Sequence, residues 1–265
     1  RKESSAASDV YKRQVHETPA FVQEEKQDKV VKSPISEAFR HSWKHMVLVM
    51  FMALMNVIPV VATIFGAAYA VQPAYGIGFD KSVYLWIPVV GNIVAVLVIP
   101  FVGNLSDKIG RRPTMIAGCL GSGLLAFVYL YAISIQNVPM AFAASIVMWG
   151  MVYQGYNAVF PSFYPELFHT RYRVTAMAIA QNIGTMLTAM LPALFAMVAP
   201  PGSDNIPLVV GGLAFFITGV CALAAYIAPE THRLAMDDLG NPDAKPMEKA
   251  AYEASRKGSF QAVSH

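Results

Sequence analysis

The sequence predicts an all-α polytopic membrane protein with six transmembrane helices, and two observations lead to this prediction. First, 55% of the 265 residues are hydrophobic and only 14% are charged, against about 25% charged residues in a typical soluble domain. Second, the charged residues occur in short clusters, separated by long windows that contain no Asp, Glu, Lys or Arg. These windows are residues 45–79, 82–106, 113–165, 174–203 and 205–229.

Each window is compared with the length that a bilayer requires, which is about 20 apolar residues for one spanning helix. Four of the windows hold one helix each. The window 113–165 is long enough for two helices, and it contains the turn sequence Gln136-Asn137-Val138-Pro139. We therefore predict helices at about 46–70, 83–104, 113–134, 139–162, 174–198 and 206–228.

The distribution of positive charge predicts the orientation of these helices. If six helices cross the membrane in alternating directions, every Lys and Arg except Lys81 lies on the same side. Cytoplasmic loops carry the excess of Lys and Arg, so we expect both termini in the cytoplasm. Because the basic residues lie at the membrane edges, the basic pI of 8.8 indicates a lipid bilayer as partner and not a nucleic acid.

The segments outside the predicted helices are polar and charged. Residues 4–14 resemble adapter-derived sequence at the ends of metagenomic open reading frames, and we expect residues 1–14 to be a sequencing artefact. We expect 15–44 to form a cytoplasmic loop, 45–229 the six-helix transmembrane domain and 230–265 a cytoplasmic tail. Apolar residues at helical spacing between Pro34 and Lys44 favour an interfacial helix that leads into the first span.

Two other classes of protein fit the sequence less well. A large soluble helical protein has helices with a polar stripe, whereas the predicted helices carry no charge at their centres. An intramembrane enzyme needs ionisable or metal-binding groups at membrane depth. The predicted helices offer no cluster of such groups, and Cys119 and Cys221 have neither disulfide-framework nor metal-site spacing. We therefore expect a non-enzyme with no cofactor and no metal.

The loop between the second and third helices combines glycines with charges. Glycine permits tight turns and close approach of helices, an aspartate caps a helix or pairs with a cation, and arginines hold a loop at an anionic membrane face. The loop resembles the signature of the major facilitator superfamily, G-x-L-x-D-x-x-G-R-R, at every marked position. The matching residues include Gly103, Asp107, Gly110, Arg111 and Arg112.

Two further motifs resemble the same superfamily and lie at the same predicted membrane face. Glu166 and Arg173 have the E-x6-R spacing of its sugar porters and related members, and Pro229-Glu230-Thr231 resembles the P-E-T end of their last helix. The resemblance implies that arginines and carboxylates of the three motifs form a network, here called the latch, which holds helix ends together when the cytoplasmic side is closed. The alternative is a set of solvated surface pairs, each contributing about 0–1 kcal/mol.

The second motif, P-E-L-F-x-T-R-x-R in residues 165–173, resembles the metabolite:proton symporter branch, which includes carriers for shikimate, α-ketoglutarate, citrate and proline or betaine. The resemblance covers residues 34–240 and matches the C-terminal half of a twelve-helix fold. We therefore expect a fragment that works with an N-terminal six-helix half. The resemblance implies proton-coupled secondary transport of a small polar metabolite, an organic acid or zwitterion, by alternating access in a bacterial inner membrane. A sugar porter and a non-transporting sensor remain alternatives.

The resemblance also indicates where a substrate would bind. Such halves consist of inverted three-helix repeats, in which the first and fourth helices face the central cavity and the second and fifth contribute to it. Uncharged polar residues of these helices are candidates to line the cavity, or else they form interhelical hydrogen bonds. No Asp, Glu, Lys, Arg or His lies at a helix centre, so we expect the proton-coupling residue in the N-terminal half. The candidates are Asn56, Thr63, Asn92, Tyr153, Gln154, Asn157, Gln181, Asn182 and Thr185.

Overall fold

The computed structural model describes residues 34–234, 238–241, 245–248 and 252, and within these ranges all regular structure is helical. Six helices in the described ranges are long and apolar enough to cross a membrane. They confirm the predicted fold class and the predicted number of spans. The predicted segment 1–14 and residues 15–33 of the predicted loop lie outside the described residues. The six helices are α1 (Ile35–Val71), α2 (Lys81–Ile109), α3 (Arg111–Ser134), α4 (Val138–Glu166), α5 (Arg173–Val198) and α6 (Ile206–Ile227).

The helices extend beyond the predicted membrane segments. The first part of α1, Pro34–Met52, crosses the predicted boundary at residue 45, and it bends at Ser42, whose φ and ψ of −129° and 20° are not helical. Similarly, α4 continues to Glu166. A helix satisfies its own backbone hydrogen bonds, so the bilayer surface does not force it to end. The uncharged windows locate the membrane-embedded part of each helix and not its ends.

The ends of the helices follow local capping rules. Asp80 precedes α2, and its carboxylate accepts hydrogen bonds from the backbone N–H of Ser82 at 2.7 Å and of Val83 at 3.3 Å. Hydrogen bonds from the Ser82 hydroxyl and these two amides lower the pKa of Asp80. At the predicted turn between α3 and α4, Asn137 accepts a hydrogen bond from the backbone N–H of Met140 at 3.0 Å. These caps fix the positions at which α2 and α4 begin.

The middle of α1 is irregular around Pro59. A 3₁₀ turn, Ala53–Asn56, comes before it, and a π-helical turn, Val60–Phe65, comes after it. Proline has no N–H, so the regular hydrogen-bond pattern cannot continue through it. The hydroxyls of Tyr84 in α2 and Tyr129 in α3 lie 2.7 and 3.2 Å from the carbonyl oxygen of Ala62, and 2.6 Å from each other. Neighbouring helices therefore hold the π-helical turn in place.

The packing of the helices has the pattern of two inverted repeats, α1–α3 and α4–α6. Extensive contacts join α1 to α5, α2 to α4, and α3 to α6. In an inverted repeat, α1 is equivalent to α4, α2 to α5 and α3 to α6. Exchanging the two repeats converts the contact of α1 with α5 into the contact of α4 with α2. The same exchange leaves the contact of α3 with α6 unchanged. The contact pattern is therefore the one that an internal two-fold relation requires.

Small residues allow α3 to approach its neighbours closely. A Cβ atom at Gly123 would lie 2.1 Å from Oγ1 of Thr218 in α6, and one at Gly118 would lie 2.2 Å from the ring of Tyr156 in α4. Close packing of this kind is the main source of helix association in lipid. In the same region the two thiols meet across α3 and α6, with the sulfurs of Cys119 and Cys221 buried and 3.2 Å apart.

Candidate functional site

A first chain of hydrogen bonds connects α4, α1 and α5 in the interior of the bundle. The hydroxyl of Tyr153 donates to Oδ1 of Asn56 at 3.1 Å, and Nδ2 of Asn56 faces Oγ1 of Thr185 at 3.4 Å. Tyr153 is buried, Asn56 is half-buried and Thr185 is exposed. The bond from a buried hydroxyl therefore orients an amide that reaches the surface of the bundle.

A second chain connects α4 to α2. Oδ1 of Asn92 accepts hydrogen bonds from Nε1 of Trp149 at 3.1 Å and from Nε2 of Gln154 at 3.2 Å. Oε1 of Gln154 in turn accepts a bond from Nδ2 of Asn157 at 3.1 Å. The rings of Trp149 and Tyr153 stack with their centroids 5.1 Å apart, which joins the two chains. We call the seven residues of the two chains the polar cluster: Asn56, Asn92, Trp149, Tyr153, Gln154, Asn157 and Thr185.

Three of the predicted cavity residues lie outside this cluster. The hydroxyl of Thr63 donates to the carbonyl of Pro59 in its own helix at 2.8 Å, and the side chain is exposed. Gln181 is half-buried and Asn182 is exposed, both on α5. Neither forms a side-chain hydrogen bond with the described part of the chain within 3.5 Å. The structure therefore groups six of the nine candidates, and the assignment of all nine to a substrate cavity stays a prediction.

The predicted latch residues lie at one end of the bundle, where α2, α4 and α6 end and α3 and α5 begin. We call this the basic end. The guanidinium of Arg111 donates to the carboxylate of Asp107, to Oγ of Ser106 at 2.9 Å and to Oε1 of Glu166 at 3.4 Å. The other oxygen of Glu166 accepts from the hydroxyl of Thr231. Arg111 and Glu166 side chains are only 14% and 19% exposed, so bulk salt screens this pair less than a surface pair.

Glu230 connects the end of α6 to the first turn of α3. Its two carboxylate oxygens accept hydrogen bonds from the backbone N–H groups of Arg111 at 3.0 Å and Arg112 at 3.1 Å. An anion is stabilised at a helix N-terminus by the free N–H groups and the helix dipole. The backbone N–H of His232 also donates to Glu230 at 3.0 Å. Burial, and after it the charge of Arg233, lower the pKa of His232.

Two arginines of the latch contact backbone carbonyls. Nε of Arg112 donates to the carbonyl of Ala225 at 3.2 Å, its Nη2 donates to the carbonyl of Tyr226, and its guanidinium lies 5.3 Å from the centre of the Tyr226 ring. Nε of Arg173 donates to the carbonyl of Phe168 at 3.1 Å. The expected pairing of a carboxylate with the Arg112 side chain is not found among the described residues. Instead, this cation binds at the negative C-terminal end of α6.

The helices, the basic end and the sequence now point to one family. Residues 10–193, well over half of the chain, match the Major Facilitator Superfamily. The chain belongs to this superfamily. It is accordingly a multi-pass membrane protein of the facilitator type, and the predicted resemblance is confirmed.

Curated members of the superfamily that resemble the chain are transport proteins. It is 32% identical over 155 residues to the cis,cis-muconate transport protein of Acinetobacter baylyi, covering 58% of this chain and 34% of that protein. It is 26% identical over 262 residues to the ectoine/proline transporter of Corynebacterium glutamicum, covering 88% and 50%. It is 30% identical over 126 residues to the proline/betaine transporter of Escherichia coli, covering 46% and 25%. The chain thus spans half or less of the length of these relatives. No solved structure matches it significantly.

The two signature glycines of this superfamily member have different surroundings. Gly110 has φ of +113°, a conformation that other residues rarely adopt, and a Cβ atom there would lie 2.7 Å from Oε2 of Glu230. Gly103 lies within α2, and no atom would come within 4 Å of an added Cβ. Of these two positions, only that of Gly110 therefore requires a glycine.

Several residues of both groups were not predicted. Ser106 and Thr231 hydrogen-bond to the charged latch residues, and Trp149 belongs to the polar cluster. Trp149 lies four residues before Tyr153, which places both on one face of α4, but this spacing does not indicate whether the indole N–H is hydrogen-bonded. The partners of Ser106 and Thr231 are set by the approach of separate helices, and no local pattern in the sequence indicates it.

Proposed function

We propose that this superfamily member is part of a secondary transporter that moves a small polar metabolite across a bacterial inner membrane by alternating access. In this proposal the six helices form the C-terminal half and work with six further helices. The proposal assigns no chemical reaction to the chain, in line with the names of its relatives.

The polar cluster is the observation that carries the proposal. Four helices contribute uncharged hydrogen-bonding groups to one region of an otherwise apolar bundle. An amide that faces lipid is costly, so exposed amides at membrane depth favour a water-filled cavity. Nδ2 of Asn92 and Oδ1 of Asn157 have no hydrogen-bond partner in the described part of the chain, and Asn92 is exposed. These atoms are available to a polar substrate.

We further propose that the substrate carries a carboxylate, as an organic acid or a zwitterion. The three relatives are named for muconate, ectoine, proline and betaine, all of which carry carboxylates. The amide N–H groups of the cluster can bind carboxylate oxygens but provide no positive charge. A balancing cation and the proton-coupling group would then come from the rest of the transporter, because the uncharged windows leave the helix centres without Asp, Glu, Lys or Arg side chains.

We also propose that the basic end is cytoplasmic and that its ion pairs act as a latch in the inward-closed state. The concentration of Lys and Arg on this side supports the orientation. The partly buried contacts of Arg111 and Glu230 support the latch, since a solvated pair would not join three helix ends.

Transport by the full-length protein in proteoliposomes tests the proposal. Radiolabelled proline, betaine, ectoine and cis,cis-muconate would be assayed for counterflow, which requires a working carrier but no ion gradient. Asn92→Ala removes the oxygen that accepts hydrogen bonds from both Trp149 and Gln154, and we expect uptake kcat/KM to fall by about fivefold or more. Asn104→Ala is the matched control, because Asn104 is an exposed asparagine of the same helix outside the cluster.

Two results would count against the proposal. Absence of counterflow with every compound tested, in protein that is folded in the bilayer, would contradict transport of this substrate class. Equal kcat/KM for N92A and N104A would contradict the placement of the substrate at the polar cluster.

A further inference from the structure

A polar pocket, separate from the polar cluster, lies at the basic end, between the beginning of α1 and the loop that joins α4 to α5. Its volume is about 630 Å³. Glu37, His41 and His45 line it from α1, where the spacing of four places them on one face of the helix. His169 and Arg171 line it from the loop. Two separate parts of the chain thus provide the titratable side chains of the pocket.

Specific contacts give the pocket its shape. The bend of α1 occurs at Ser42, and the hydroxyls of Ser42 and Tyr172 share a hydrogen bond of 2.8 Å although both residues are buried. Gly240 lines the pocket from the C-terminal tail with φ of +81°, and a Cβ atom there would lie 2.4 Å from the backbone nitrogen of His169. Leu239 beside it is buried. The pocket is therefore built by packing and is not a gap between solvated loops.

The side chains that line the pocket favour an anion. Within the described part of the chain, the lining provides three imidazoles and one guanidinium as N–H donors and one carboxylate, that of Glu37. Nδ1 of His41 is within 3.3 Å of the carbonyl of Glu37, which directs its Nε2 away from the helix backbone. His41, His169 and Arg171 are exposed, so a ligand can reach them from solution. A guanidinium binds phosphate oxygens by charge-assisted hydrogen bonds, and an imidazole N–H donates a further hydrogen bond to them.

A metal ion is the less suitable occupant. Among the described residues, no three His, Cys, Asp or Glu side chains are grouped closely enough to hold one. A phosphate is larger, and it is bound by donors that surround it at hydrogen-bond distance, so it tolerates the wider spacing of a 630 Å³ pocket.

We propose that this pocket binds a phosphate group, carried either by the headgroup of an anionic phospholipid or by a soluble phosphorylated molecule. The site is distinct from the polar cluster, because 14 residues of helix from Ser42 to Asn56 correspond to about 20 Å along α1. It lies where α1 enters the predicted membrane region, at the level that lipid headgroups occupy. Its occupant would contact both α1 and the α4–α5 loop and so hold them together.

Binding to the full-length protein in nanodiscs tests the proposal without any transport assay. In nanodiscs of phosphatidylcholine, titration calorimetry with inorganic phosphate measures the soluble source. In nanodiscs that also contain phosphatidylglycerol, native mass spectrometry counts retained anionic lipids and so measures the headgroup source. Phosphate affinity that falls when phosphatidylglycerol is present identifies the lipid as a competitor for the same pocket.

Three variants test the pocket, and the first two should change the binding affinity in opposite directions. Arg171→Gln should weaken phosphate binding, or reduce phosphatidylglycerol retention, by about tenfold. Glu37→Gln removes the opposing carboxylate and should strengthen either signal. Arg40→Gln is the matched control, because Arg40 is an exposed arginine of α1 that does not line the pocket. Size-exclusion profiles and circular dichroism confirm that each variant is folded.

Three results would overturn the proposal. The first is a wild-type protein that neither binds inorganic phosphate nor retains phosphatidylglycerol above the bulk lipid ratio. The second is an equal effect of R171Q and R40Q, which would mean that binding depends on the overall surface charge and not on the pocket. The third is weakening by E37Q to the same extent as by R171Q, which would mean that the lining does not discriminate by charge.

Discussion

The carboxylate of Glu230, just beyond α6, accepts a hydrogen bond from the backbone N–H of Arg111 at 3.0 Å, across 119 residues of sequence. Glu230 is thereby the N-terminal cap of a helix to which it does not belong. The first turn of α3 has N–H groups without partners inside the helix, and Glu230 binds two of them. This contact links the last motif of the chain to the signature loop.

Replacing Glu230 with Gln tests the value of this cap. The variant keeps the size of the side chain, but it loses the charge and presents an amide NH₂ to a backbone N–H. We expect a loss of about 1–2 kcal/mol in the free energy of unfolding, from the helix dipole and one hydrogen bond. Denaturant unfolding in detergent micelles, followed by tryptophan fluorescence, measures it. Glu248→Gln is the matched control, because Glu248 is exposed in the tail, and equal losses in both variants would contradict the assigned cap.

Alanine substitutions at the two signature glycines should have different effects. At Gly110, alanine meets both an unfavourable positive φ and an oxygen of Glu230 at 2.7 Å, so we expect a loss of at least about 1–2 kcal/mol. At Gly103, within α2, alanine meets open space and a helical backbone, and we expect no loss or a gain of up to about 1 kcal/mol. Unfolding of G110A and G103A under identical conditions measures the difference, and comparable losses would show that Gly110 is not conformationally required.

The guanidinium geometry of Arg111, and not only its charge, should matter for transport. Nη1 of Arg111 donates to Asp107 and Ser106 and Nη2 to Glu166, whereas lysine keeps the charge but has all its donors on one nitrogen. If the latch works as proposed, Arg111→Lys should reduce the uptake rate of the full-length protein in proteoliposomes by about tenfold, equal to about 1.4 kcal/mol. Lys108→Arg is a charge-conserving control at an exposed position of the same loop. Wild-type uptake by R111K would be incompatible with a bonded latch.

The physical basis of each prediction explains how much of the fold the sequence could provide. Long uncharged windows gave the six spans, because the bilayer excludes charge over a fixed length. They could not give the bend at Ser42 or the π-helical turn after Pro59. Proline alone indicates a disturbance, but its form depends on Tyr84 and Tyr129, which contact Ala62 from two other helices.

The candidate site shows the same limit. Polar residue type and helical position selected Asn56, Tyr153 and Thr185, and the structure brings these three together. Polarity could not separate them from Thr63, which bonds to its own helix. Trp149 was missed because an aromatic residue in an apolar helix has the same pattern whether its N–H is bonded to Asn92 or merely buried.

The hydroxyl of Tyr153 provides the most direct functional test of the polar cluster. It orients the Asn56 amide through a 3.1 Å bond, so Tyr153→Phe leaves the ring stacked on Trp149 but frees the amide to rotate. We expect KM for the transported substrate to rise about fivefold with little change in stability, because one hydrogen bond contributes about 1 kcal/mol. Tyr131→Phe is the matched control, since Tyr131 is 53% exposed and lies near the C-terminal end of α3, outside the polar cluster. Substrate dependence of uptake by full-length protein in proteoliposomes measures both variants. An unchanged KM in Y153F, or the same rise in Y131F, would mean that the Tyr153–Asn56 bond serves packing and does not position an amide for substrate.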